Sequence, residues 1–315
     1  MSFFKGLKVA VVIPCYNEEK SIGSVILDLK KVLPEASIYV FDNNSTDKTA
    51  EVAKLEGAHV INVALKGKGN VVRRMFADVE ADIYVMLDGD ATYYAPSSLH
   101  LIEKLCKEHL DMVVGVRVEE QDSDAYRRGH RWGNTMLTKT VQHVFGGQFT
   151  DMLSGYRVFS RRYAKSFPAL SKGFEIETEL TIHALELRMP YGELNTPYGE
   201  RLEGSESKLS TYKDGFKILK TIFRLYMVER PMAFFSIFGT LFIASAISLS
   251  IPLLSEYLNT GLVPRLPTAI LSSAMVLTGL LSFSCGFILE TVTRGRNESK
   301  RLVYLSIPRT QFKDE

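Results

Sequence analysis

Residues 83 to 90 read Ile-Tyr-Val-Met-Leu-Asp-Gly-Asp, and the two carboxylates that end this run, Asp88 and Asp90, are the strongest pointer to chemistry in the chain. Carboxylates one residue apart at the end of a buried strand can both face one hard cation, and a divalent ion there can neutralise a diphosphate. The same residues also make an ordinary turn, because Gly and Asp suit the bend after a strand. Two other polar loops have a related character, Ile13-Pro-Cys-Tyr-Asn-Glu-Glu19 and Phe41-Asp-Asn-Asn-Ser-Thr-Asp47. A nucleotide base needs a hydrogen-bond acceptor and a flat surface, which Asp42 and Tyr16 can supply, with Glu18 and Asn17 in reach of the ribose or base. Lys66-Gly-Lys-Gly-Asn70 is a flexible basic loop ahead of a helix, suited to phosphate or equally to a solvated turn.

The elements that must position these loops follow from periodicity. Lys8 to Ile13 is a short apolar run, as a buried parallel strand should be. Ser21 can cap a helix to about Leu33 with Ile22, Val25, Ile26 and Leu29 on one face. Further strands are expected at 37–41, 59–63, 83–87 and 112–116, with helices from Ser45 or Thr46 to about Glu56, at 68–79 and at 97–107. Strands alternating with helices predict an α/β fold, a Rossmann-like, mostly parallel sheet with helices on both faces. Ligands on such sheets gather outside the carboxyl ends of the strands, where all three polar loops fall. Residues 126–145 and 212–230 read as amphipathic helices, and the second, next to an apolar run, suits a membrane interface.

Met232 to Leu254 and Leu266 to Leu289 contain no Asp, Glu, Lys or Arg, and each exceeds the roughly 20 residues that span a bilayer as a helix. They predict a transmembrane hairpin. Lys208, Lys213, Lys217, Lys220, Arg224 and Arg230 precede it, and Arg294, Arg296, Lys300 and Arg301 follow. By the positive-inside rule both termini and the N-terminal domain are expected in the cytoplasm, with the chain a multi-pass protein of the cell inner membrane. Val9 to Ile13 is too short for the apolar region of a secretory signal. Cys15, Cys106 and Cys285 lack metal-ligand spacing and fit a reducing compartment. A net charge of +2 over 315 residues gives no argument for a nucleic-acid partner. The expected organisation is a catalytic-type domain over 1–204, juxtamembrane helices over 205–230, the hairpin over 231–290 and a basic tail over 291–315.

The three strand-end motifs, in this order and spacing, resemble those of family 2 glycosyltransferases with the GT-A fold. Downstream, Thr150-Asp-Met-Leu-Ser-Gly-Tyr-Arg157, Gly173-Phe-Glu-Ile-Glu-Thr-Glu179 and Arg201-Leu-Glu-Gly-Ser-Glu-Ser-Lys208 look like the membrane-associated polyprenyl-phosphate enzymes, including dolichyl-phosphate mannose synthase relatives and bacterial undecaprenyl-phosphate glucosyltransferases. The resemblance implies an inverting transfer of one sugar from a nucleotide diphosphate to a membrane polyprenyl phosphate. It implies a nucleotide-sugar site at Pro14, Tyr16, Glu18, Asp42, Lys68, Asp88, Glu175 and Glu177. Mg2+ or Mn2+ would sit on Asp88 and Asp90, the hard oxygen ligands those ions prefer. Arg117, Arg128, Arg131, Arg157 and Arg201 would face acceptor and diphosphate charge, since guanidinium forks suit that load. Asp151 is expected to orient or deprotonate the acceptor phosphate, with a structural ion pair to a neighbouring Arg as the alternative; Asp90 shares the catalytic assignment. UDP-sugar, such as UDP-glucose, is the expected donor, with GDP-mannose as the alternative. Association into a homo-oligomer, conceivably a tetramer, is compatible with the hairpin. A processive polysaccharide synthase is the other enzyme reading, but its Gln-x-x-Arg-Trp motif has Arg128 in place of Gln here, and only two spans follow.

Overall fold

A computed structural model describes residues 6–119, 128–173, 175–199 and 211–310. The chain runs β1 (Val9–Cys15), α1 (Ile22–Val32), β2 (Ser37–Asp42), α2 (Thr49–Leu55), β3 (His59–Asn62), α3 (Lys68–Asp78), β4 (Ile83–Met86) and α4 (Ser97–Lys107). It continues through β5 (Met112–Glu119), α5 (Arg128–Phe145), β6 (Arg157–Ser160), α6 (Arg161–Ser166), α7 (Ile176–Glu186) and β7 (Tyr191–Tyr198). Three long helices follow, α8 (Thr211–Glu229), α9 (Pro231–Thr260) and α10 (Leu266–Ser306).

The strands form one sheet in the order β3-β2-β1-β4-β6-β5-β7. All pairings are parallel except those of β6, which runs antiparallel between β4 and β5. Alternation along β1 builds two cores. Val9, Val11, Ile13 and Cys15 pack with Ile22, Ile26 and Leu29 of α1 and Leu101, Ile102 and Leu105 of α4. Ala10 and Val12 face the other way, toward Val72, Met75 and Phe76 of α3 and Ile176 and Leu180 of α7. Burial on both faces is the reason the strand reads as an unbroken apolar run.

Several elements differ from the sequence expectation. Ser21 does not cap α1; its hydroxyl donates to the carbonyl of Gly89 at 2.7 Å and so ties the helix start to the Asp-Gly-Asp turn. α2 begins at Thr49 because Ser45 and Thr46 are taken up by Asn17: the Asn17 N–H donates to Ser45 Oγ, and Thr46 N–H donates to Asn17 Oδ1. Strands β6 and β7 were not expected. β6 has only four residues, and β7 carries Gly192 and Pro197, which blur the alternation. The basic tail is helical to Ser306, since no proline interrupts it before Pro308.

The chain forms two compact units, Met1–Leu219 with Lys300–Glu315, and Lys220–Ser299. In the second, α9 and α10 approach so closely that a Cβ on Gly239 would lie 3.0 Å from the Gly279 carbonyl oxygen, the tight contact small residues permit between membrane helices. Both helices are long and apolar enough to cross a bilayer, and most of their apolar side chains are exposed. In the first unit, the end of α10 is anchored to the edge of the sheet opposite the three polar loops. Tyr304 donates to Asp111 Oδ2 at 2.6 Å, and the Arg162 guanidinium, itself paired with Asp111, lies 4.7 Å from the Tyr304 ring centroid. Lys300 pairs with Glu186 at 2.9 Å.

Candidate active site

The parallel strands bring their carboxyl ends to one edge. β1 ends beside β2, with Pro14 opposite Phe41 and Cys15 opposite Asp42, so Tyr16 to Glu19 and Asp42 to Asp47 emerge side by side. Short hydrogen bonds stitch these loops together. Glu18 N–H donates to Thr49 Oγ1 at 2.8 Å, and Lys48 N–H to Glu19 Oε2 at 2.9 Å. Asn43 reaches the next loop, donating to the Val63 and Leu65 carbonyls and accepting from Gly67 N–H. Glu18 and Asp42 are buried in this arrangement, and Tyr16 is half-buried with Lys66 Nζ 5.5 Å from its ring centroid. Asn43 was not singled out from the sequence; its signal was its place at a strand end within a polar run.

The Asp88-Gly-Asp90 turn follows β4. Gly89 lets the turn pack closely on β1, because a Cβ there would lie 2.6 Å from Cys15 Sγ and force a shift. Asp90 is buried and accepts from Thr92 N–H at 3.2 Å and Thr92 Oγ1 at 2.6 Å. Asp88 is more open, its side chain 29% exposed, and it pairs with Lys68 Nζ at 2.6 Å. Lys68 is also 2.6 Å from Glu177 Oε1. Burial alone would lower the pKa of this ammonium, but the charges of Asp88 and Glu177 outweigh it and the net shift is upward. Lys68 therefore stays charged.

β6 is antiparallel, with Arg157 opposite Met86 and Val114, so the loop before it, residues 150–156, arrives at this same edge. Gly155 lies against the acidic turn: a Cβ there would come within 2.6 Å of Asp88 Oδ2 and 3.1 Å of Lys68 Nζ. Tyr93 accepts from Gly155 N–H at 2.9 Å and packs on Tyr156 and Tyr198. Burial pushes its phenol pKa up, which keeps it protonated. Tyr93 links the two halves of the site, and its only sequence signal was its position three residues after Asp90.

On the other side, Arg117 grips Asp151 with both arms of its fork. Nε donates to Oδ2 and Nη2 to Oδ1, each at 2.7 Å, and the Arg117 guanidinium lies 5.6 Å from the Tyr198 ring centroid. The ion pair weighed as the alternative for Asp151 is thus formed. Arg157 departs from expectation. It is 0% exposed and donates to the Ser154 carbonyl at 2.9 Å, to Thr181 Oγ1 at 3.0 Å and to the Met152 carbonyl. Enclosed in this way it pins the 150–156 loop from within the fold. Glu175 is likewise engaged locally, accepting from Gly173 N–H at 3.1 Å, whereas Glu177 joins the Lys68 cluster. Arg128 and Arg131 fall in the first turns of α5; their side chains, like Arg201, lie outside the described residues.

Asp88 and Asp90 offer oxygen donors alone, the set that suits Mg2+ or Mn2+. Among the described residues no cluster of three or more acidic, His or Cys side chains converges. That agrees with the way Mg2+ is held, by one or two carboxylates with substrate phosphates completing the shell. The residues fit such an ion.

Residues 10–167 match the glycosyl transferase family 2 description. Glycosyltransferase AglJ of Haloferax volcanii is 30% identical over 93% of this chain and 97% of its own length. A dolichyl-phosphate hexose transferase of the same organism is 29% identical over 70% of this chain and 95% of its own. The undecaprenyl-phosphate 4-deoxy-4-formamido-L-arabinose transferase of Photorhabdus laumondii is 27% identical over 81% and 78%. The crystal structure of glucosyl-3-phosphoglycerate synthase from Mycobacterium tuberculosis, in complex with Mn2+, UDP-glucose and phosphoglyceric acid, superposes with a TM-score of 0.58 at 23% identity, over 70% of this chain and 80% of that one. The sheet with one reversed strand and an acidic turn at its carboxyl edge is therefore GT-A-like, and the chain belongs to glycosyl transferase family 2, as a glycosyltransferase related to the polyprenyl-phosphate sugar transferases.

Proposed function

We propose that the protein transfers a single sugar, with inversion, from a uridine diphosphate sugar such as UDP-glucose to a polyprenyl phosphate at the cytoplasmic face of the inner membrane. The observation that carries this reading is the convergence of three donor-type loops with Asp88, Asp90 and the Arg117–Asp151 pair at one sheet edge, in a chain that also has two bilayer-length helices. The relatives named for dolichyl- and undecaprenyl-phosphate transfer support the acceptor class, and the UDP-glucose of the structural neighbour supports the donor.

In this mechanism Tyr16, Glu18 and Asp42 hold the base and ribose, beside the end of β1 at Pro14. Asp88 and Asp90 would hold Mg2+ or Mn2+, which neutralises the charge that builds on the leaving diphosphate. Lys68 adds a second positive charge at the same edge. Arg117, held in register by Asp151, binds the acceptor phosphate together with Arg128, Arg131 and Arg201. A phosphate monoester is already anionic near neutral pH, so its oxygen attacks the anomeric carbon as the bond to the nucleoside diphosphate breaks, with little need for a strong base. Asp151 then orients more than it deprotonates, and catalysis rests on positioning and charge stabilisation.

The test is transfer of radiolabelled sugar into butanol-extractable lipid by membranes containing the protein, with UDP-glucose, other UDP-sugars and GDP-mannose compared in Mn2+ or Mg2+. Label from a UDP-sugar in an acid-labile lipid phosphate supports the reading. Label from GDP-mannose alone, or in polymer, rejects it.

A further inference from the structure

The Lys68 ammonium stands where a metal ion is wanted. It is 2.6 Å from Asp88 Oδ1 and 2.6 Å from Glu177 Oε1, and its side chain is 9% exposed. A divalent ion bound at about 2.1 Å to the same Asp88 carboxylate would lie within a few ångströms of that ammonium, where two positive charges repel strongly even at the dielectric of a protein surface. Glu177 offers a refuge. Its second oxygen, Oε2, is buried without a hydrogen-bond partner among the described residues, and a buried carboxylate oxygen left bare is costly. Gly155 packs its backbone directly against the pair, since a Cβ there would lie 2.6 Å from Asp88 Oδ2 and 3.1 Å from Lys68 Nζ, so only glycine admits both groups at this point.

We propose that Lys68 is a built-in stand-in for the divalent cation. It neutralises Asp88 while the donor site is empty and withdraws onto Glu177 when the metal arrives with its nucleotide. This rests on the metal reading of Asp88 and Asp90 given above and adds a consequence. The metal alone binds weakly because it must evict the ammonium, whereas the metal–nucleotide complex brings phosphate charge that Lys68 also satisfies. Metal and nucleotide therefore bind with positive coupling, and Lys68 and Glu177 are positioning residues for it.

The experiment titrates Mn2+ into the full-length protein in detergent, following the free-ion signal by electron paramagnetic resonance, with and without UDP. Wild type should bind Mn2+ weakly alone and at least about tenfold more tightly with UDP. K68M should bind Mn2+ alone at least about tenfold more tightly than wild type, and lose most of the UDP effect. The pair K68M/E177Q removes one charge of each sign, so it carries the same test if K68M does not fold. It separates eviction from a simple change in net charge. Wild type and both variants binding Mn2+ alone with equal affinity, while UDP still recruits the ion, overturns the stand-in and leaves the metal site in place. Absence of Mn2+ binding in every form, UDP included, overturns the metal site itself.

Discussion

Asp88 and Asp111 sit at opposite edges of the same sheet, and each is paired with a base, yet their surroundings differ in kind. Asp111 is saturated. Its side chain, 1% exposed, takes both arms of Arg162, the Ser160 hydroxyl and the Tyr304 hydroxyl. Asp88 is 29% exposed and bound to a lysine that it shares with Glu177, and Glu177 keeps one oxygen without a hydrogen-bond partner among the described residues. A saturated buried network specifies one packing. An open one, held by a flexible ammonium, keeps capacity for a ligand. The two arginines repeat the lesson: Arg157 spends its donors on the chain's own carbonyls, while Arg117 lies across a carboxylate and a tyrosine ring at the site's edge.

Substitutions at the two edges should separate along this line. D88N and D90N should each cut sugar transfer by about 10³-fold, through loss of charge stabilisation at the leaving diphosphate, with little change in melting temperature; retained transfer would place the chemistry elsewhere. D111N should do the reverse, costing about 3–5 kcal/mol of stability because Arg162 is left uncompensated, while the donor KM of the folded fraction stays as in wild type. A donor KM that rises with the loss of stability would erase the distinction between the edges. D151N should lower turnover about 10²-fold by letting Arg117 drift, and leave UDP binding, measured by calorimetry, intact.

Two further effects probe the saturated side. His183, packed against Tyr163 and Phe167, is held to a pKa of about 3 by burial, with the charge of Lys300 adding to it. The unfolded chain therefore takes up a proton there first. Stability from this residue is full above about pH 6.5 and falls as the pH drops toward 3, at up to about 1.4 kcal/mol per pH unit. Chemical denaturation across that range should show the slope in wild type and a flatter one in H183Q; equal slopes would assign the proton uptake to other groups. Y304F should cost about 1–2 kcal/mol by removing one hydrogen bond to a charged acceptor, read as a modest drop in melting temperature with transfer preserved. A loss of transfer at constant stability would show that this anchor reaches the active edge.

Local patterns were sufficient for much of this. The burial face of α1, the extents of α3 and α4 and the strands β1 to β4 were legible because buried parallel strands and amphipathic helices carry their periods in the chain itself. So was the placing of the three polar loops at strand ends. The reversed strand β6 was not, since four residues of which only Val158 and Phe159 are apolar show neither a period nor a direction until neighbours supply one. Nor was the fate of Ser21, where a local cap lost to a bond with a carbonyl 68 residues away.

By itself, then, the amino-acid sequence determined which side-chain types the three polar loops carry and at which sheet edge those loops emerge, because side-chain type and hydrophobic period are local properties. Only the tertiary structure decided which of those residues are spent on the fold. It put Arg157 inside, closed Asp151 onto Arg117, brought Tyr93 between the two halves of the site and set Lys68 between Asp88 and Glu177. Burial and pairing depend on chain segments far apart in sequence, and an arginine or aspartate carries no mark of whether its counterpart will be a ligand or another part of its own chain.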